Sequence, residues 1–272
     1  MIMNKGSLKV LAMASLKNGW CLLLLCSWLA AGEIGSWVWA PETSSAVFDQ
    51  NPVSKVACGP ASALNVLRFS KTSWRDRLKK YEKVNDEATL RSVLYEKTMV
   101  SSSTRDGAWL WSEDTKMTAD DYVDFLNRFQ GRKFWRKKVE RQPVDWLQGE
   151  SELHRVYDSL KASLEHGVAP TLEIVLLVQP NFNEIQTKRW LPLEGHFVVV
   201  LGVKKQKDAL LLRVADSDGG RKYDLTLKPT DTGLDVFRPK LNLEGEGFRL
   251  WASKRKKFPK HQLSITGVIG VF

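Results

Sequence analysis

The apolar positions along this chain change their period at Gly167. Before it they recur every three or four residues, the spacing of amphipathic helices; after it they run on or alternate, as in strands. The spacing predicts helices over 59–69, 74–99, 118–130 and 151–166. In the first, Pro60 suits an opening turn, and Ala61, Leu64 and Leu67 or Arg68 follow at helical spacing. In the third, Thr118 can cap, acids fill the first turn, and Tyr122, Phe125 and Phe129 share a face. In the fourth, Leu153, Val156, Leu160 and Leu164 point inward until "HG" ends it. "TLEIVLLV" (171–178), "HFVVVLGV" (196–203) and "ALLLRVAD" (209–216) read as strands, with weaker ones at 248–253 and 264–272. Residues 33–50, with Pro41, and "SSSTRDG" read as irregular. Helices first and strands later predicts an α+β domain.

The N-terminal residues alter that picture. Lys5, Lys9 and Lys17 precede "WCLLLLCSWLAAG", an apolar run of export-signal length ending in small residues. Residues 1–32 are therefore expected to be a signal peptide or an N-terminal membrane anchor, and 33–272 one domain. Of three cysteines, Cys21 and Cys26 fall in the apolar run, so Cys58 stands alone in the remainder. A lone thiol in an exported chain is either buried and idle or reactive. The formal charge of +10 includes the three signal lysines and falls to +7 without them. Such a balance favours anionic surfaces in general and names no partner.

The two clearest strands carry the other candidates. "GHFVVVLGV" and "ALLLRVAD" are joined by "KKQKD", short enough to demand a hairpin. With Val203 opposite Ala209, His196 falls opposite Asp216, whose carboxylate could hold the imidazole ring. A register slip of one residue would send the partner to the other face, with Asp218 as the fallback. Cys58, at the start of a helix, meets unpaired N–H groups and the positive end of the helix dipole, a setting that favours a thiolate. Gly59 would let the adjacent N–H approach a substrate, as an oxyanion hole requires. Together these residue types supply a nucleophile, an acid/base and an orienting carboxylate.

"CGPASALNVL", then "GHFVVVLGV" and "VADSDGG" far downstream, resemble the papain-like cysteine peptidases of the bacteriocin-processing, double-glycine-leader group. The resemblance covers the motifs and none of 71–170. It implies a papain-like fold with Cys58 as nucleophile, His196 as base, Asp216 as orienting acid, and Gln50 as oxyanion donor, Asn51 being the poorer choice. The 138-residue interval from Cys58 to His196 is long and implies an insertion around 75–150. Nothing after residue 32 is apolar enough for membrane spans, which sets the chain apart from transporter-fused members.

The expected activity is thus hydrolysis of a peptide or isopeptide amide through a thioester. The rivals are an acyltransferase on the same fold and a non-catalytic binding module at the cell envelope. His154, His166 and His261 lack metal-ligand spacing, so neither metal nor cofactor is expected. The basic runs 74–83, 132–141 and 253–260 read as solvated faces; an anionic envelope component suits them better than nucleic acid does, given the export signal. "GAWLWSED" could line a groove, although most of the eleven tryptophans are expected in packing.

Overall fold

The computed structural model describes residues 35–96, 110–112, 116–130, 138–179, 190–231, 238–245, 256–258 and 260–272. The segment expected to be a signal or anchor, the loop expected at 101–107 and the strand expected at 248–253 lie outside these residues. Five helices occur among the described residues: α1 (Cys58–Phe69), α2 (Thr72–Leu78), α3 (Asp86–Leu94), α4 (Ala119–Gln130) and α5 (Glu150–Glu165). Eight strands accompany them: β1 (Val38–Trp39), β2 (Glu140–Pro143), β3 (Thr171–Val178), β4 (Leu191–Gln206), β5 (Ala209–Asp216), β6 (Arg221–Pro229), β7 (Leu241–Glu244) and β8 (His261–Gly270). They form one antiparallel sheet in the order β2-β8-β3-β4-β5-β6-β7, and β1 pairs with the far end of β4. The α+β class holds.

Both faces of the central strands are covered, which is why their sequences are apolar almost without alternation. On one face, the Tyr122 hydroxyl of α4 meets Thr171 Oγ1 at 2.8 Å, and its ring stacks on Phe197 at 4.5 Å. On the other, Ser163 of α5 sits over Gly270, the neighbour of Ile269, which pairs with Thr171. A Cβ at Gly270 would lie 2.6 Å from Ser163 Oγ, so the close approach of α5 needs a glycine there.

The helix limits follow local chemistry. Thr118 and Asp121 cap α4 reciprocally, Asp121 N donating to Thr118 Oγ1 and Thr118 Oγ1 to Asp121 Oδ2. Gly167, at φ +74°, ends α5 in the left-handed region. The single helix expected over 74–99 is instead α2 and α3. Asn85 caps the second, its side chain accepting from Ala88 N at 2.8 Å, and Lys83 N donates to Thr89 Oγ1 across the break. Strands β1 and β2 precede the expected strand region, and β1 lies within the stretch read as irregular. No helix among the described residues is long and apolar enough to cross a membrane.

Candidate functional site

Helix α1 begins at Cys58, and its N-cap residue, Ala57, supplies no capping side chain. Ala57 therefore offers no side-chain acceptor to the first-turn N–H groups beside the half-buried thiol. Three contacts fix α1. Ser62 Oγ, one turn on from Cys58, donates to Phe197 O at 2.9 Å, tying the helix to the residue after His196. Asn65 accepts from Phe48 N at 2.8 Å and holds the preceding loop. Arg68 pairs with Asp86 at 2.7 Å and covers the Phe48 ring.

The β4–β5 hairpin corrects the expected register. Its turn is Lys207-Asp208, with Gln206 opposite Ala209 and Val203 opposite Leu212. Continued unbroken, that register would face Asp216 with Val199 and put it on the side away from His196. A bulge at Leu201 intervenes, and beyond it Val198 stands opposite Asp216. His196 is two residues from Val198, so imidazole and carboxylate share a face as diagonal neighbours rather than as a direct pair. They meet: His196 Nε2 lies 2.7 Å from Asp216 Oδ1.

Both groups are sealed from water, His196 at 4% exposure and Asp216 at 1%. Asp216 Oδ1 also accepts from Asp218 N at 2.8 Å, and Oδ2 from the Tyr223 hydroxyl at 2.6 Å. Burial opposes charge on the His196 ring, but the Asp216 carboxylate, aided by Cys58, outweighs it and raises the pKa to about 10. Burial likewise opposes the Asp216 charge, yet His196, Tyr223 and the Asp218 N–H hold its carboxyl below the usual range. The second partner of the imidazole is the Cys58 side chain, within hydrogen-bonding reach. With Nε2 given to Asp216, Nδ1 is the nitrogen left to face sulfur. Sulfur, imidazole and carboxylate thus form one continuous chain, although 138 residues separate the first two.

Gln50 is buried, and its side-chain amide is held at both ends: Oε1 accepts from Ser217 Oγ at 2.9 Å, and Nε2 donates to Lys55 O at 3.1 Å. Its backbone N donates to Ser217 O at 2.9 Å. Asn51 is turned elsewhere, donating to Asp218 Oδ1 at 3.0 Å. Loop 47–55 is therefore laced to the turn after Asp216, and Gly220 at φ +59° lets that turn press against Asp49. Gly59 allows a close approach of a different kind. The space its side chain would fill belongs to Met117, with Sδ only 2.7 Å from an added Cβ. Trp111 is buried too, donating to Val56 O at 3.2 Å, so it packs beside the turn that leads into Cys58 instead of lining an open groove.

A cleft of about 500 Å³ is lined by Gly195, Trp146, Val175, Leu193 and the Arg141–Glu173 pair, on the face of β3 and β4 opposite the His196 ring. Glu194 on its rim pairs with Lys116, next to Met117. Among the described residues no three His, Cys, Asp or Glu side chains stand together as a metal site needs. Sequence reasoning missed Tyr223. The alternation in "KYDLTLKP" could have revealed β6, since Tyr223, Leu225 and Leu227 all point inward. The sequence matches no family model and no curated protein.

Proposed function

We propose that this chain is an exported cysteine hydrolase of the papain-like kind, cleaving a peptide or isopeptide amide. The observation that carries the reading is the sulfur–imidazole–carboxylate chain of Cys58, His196 and Asp216, buried at its carboxylate end and half-open at its sulfur. Cys58 attacks the amide carbonyl, and the C–N bond breaks as His196 gives its proton to the leaving amine. The resulting thioester is hydrolysed by a water whose proton returns to His196, restoring the thiol and releasing the acid. Asp216 fixes the ring and stabilises its positive charge. The Cys58 N–H and Gln50 Nε2 are assigned to the oxyanion, the amide being held by Ser217 and Lys55 O. Export is supported by the basic-then-apolar pattern of residues 5–31.

The test pairs chemistry with labelling. Iodoacetamide should alkylate Cys58 in the folded chain, with a pH profile that His196→Ala displaces. Cys58→Ala should abolish release of fluorophore from a fluorogenic peptide-amide library while leaving the circular dichroism unchanged. Hydrolysis by the alanine variant at the native rate would exclude this mechanism, and an alkylation profile indifferent to His196 would favour a non-catalytic binding module.

A further inference from the structure

Asp216 is gripped from two sides. Oδ1 receives His196 Nε2 and the Asp218 N–H, while Oδ2 receives the Tyr223 hydroxyl at 2.6 Å. The sheet explains the meeting. Tyr223 on β6 stands opposite Val214, two residues before Asp216 on β5, so phenol and carboxylate share a face. The turn between them depends on Gly219 and Gly220, both at positive φ. A carboxylate held at one oxygen can still pivot about its Cβ–Cγ bond. With donors on both oxygens its plane is fixed, and with it the direction in which the imidazole presents its other nitrogen. A short bond from a hydroxyl to an ionised carboxylate is of the strong, charge-assisted kind.

We infer that Tyr223 is a positioning residue of the site, locking the Asp216 carboxylate in the orientation that turns the His196 ring towards Cys58. This rests on the reading of Cys58, His196 and Asp216 proposed above. Space-filling alone would be served by phenylalanine; the hydroxyl's contribution is the second grip. Burial, reinforced by the Asp216 charge, pushes the Tyr223 phenol far up, so it remains a donor while His196 changes charge. Several ionisable groups among the described residues surround the network. Asp216 faces His196 and Tyr223; Tyr223 also feels Arg221 and Asp218; Cys58 faces His196 and Tyr122.

The test uses the full chain and needs no substrate. Iodoacetamide alkylation of Cys58 is followed by mass spectrometry from pH 5 to 9 in wild type, Tyr223→Phe, His196→Ala, Asp216→Asn and the Tyr223→Phe/Asp216→Asn double variant. Tyr223→Phe should slow alkylation near pH 6.5 about three- to tenfold and move the profile towards that of His196→Ala. In the Asp216→Asn background the same change should add little, because Tyr223 acts through that carboxylate. A Tyr223→Phe profile that overlies wild type, with His196→Ala displaced, overturns the inference whatever happens to the melting temperature. Coincident wild-type and His196→Ala profiles would instead overturn the underlying reading. Should the phenylalanine variant not fold, 3-fluorotyrosine at 223 keeps shape and hydroxyl but makes a stronger donor. A displaced profile then supports the coupling, and an unchanged one removes it.

Discussion

Replacing Asp216 with asparagine isolates what the carboxylate charge contributes. The exchange is nearly isosteric and its hydrogen bonds can be remade. A carbonyl at the Oδ1 position still accepts from His196 and Asp218 N, and the Tyr223 hydroxyl can turn to accept from the new NH₂. What disappears is the charge. With the carboxylate present the His196 pKa is raised to about 10, so at pH 7.5 the charged ring is the favoured form. Without it burial opposes the charged ring with only Cys58 still favouring it, so the protonated fraction falls. If the imidazolium supports negative charge on sulfur, alkylation of Cys58 at pH 7.5 should fall about tenfold or more. Breaking a buried pair costs about 3–5 kcal/mol when the remaining charge persists. Here the ring can shed its proton, so a loss near 2 kcal/mol is expected, a melting temperature lower by about 4–8 °C. The assay is pseudo-first-order iodoacetamide labelling, read by mass spectrometry beside a thermal melt. Labelling within twofold of wild type, in a variant with native circular dichroism, would refute the electrostatic argument.

Two further predictions concern the surroundings. Gly59→Ala should destabilise despite alanine's better helix propensity: the gain is about 1 kcal/mol, whereas overpacking against Met117 Sδ at 2.7 Å costs about 1–3 kcal/mol. A double-mutant cycle with Met117→Ala, followed by urea denaturation, should give a coupling near 1 kcal/mol; strict additivity would show that Met117 is not the obstacle. Stability should also depend on pH with a defined sign. The folded pKa of His196 is raised, so its contribution is complete below its ordinary 6.5 and is lost as pH rises through about 10. The depressed Asp216 contributes above its ordinary 3.8 and loses this as pH falls. The urea midpoint should therefore decline from pH 6.5 to 10, and His196→Gln should flatten that decline; equal slopes in both chains would contradict the assignment.

Where local pattern governs, sequence and structure agree closely. The 3.6-residue spacing of Tyr122, Phe125 and Phe129 locates α4, and short, largely apolar runs locate β3 and β5 to the residue. Agreement weakens where the signal is mixed. The charged stretch 79–85 reads as helix by composition, yet Asn85 captures the N–H of Ala88 and starts a new one. β6 alternates apolar with charged residues, and its turn chemistry in "DSDGG" draws attention away from the strand behind it.

The sequence alone determined which residue types could do chemistry: a thiol ahead of Gly-Pro, a histidine opening an apolar strand, an aspartate ending the next. It could not determine that they meet. Side chains alternate faces with every residue, so one extra residue at Leu201 decides whether His196 and Asp216 share a side, and no composition or period announces a bulge. The approach of Cys58 depends likewise on contacts distant in sequence, Ser62 to Phe197 and the lacing of Gln50 to Ser217. Local propensities are set by neighbours along the chain, whereas a hydrogen bond between residues 20 or 135 positions apart exists only once the packed core has fixed both backbones.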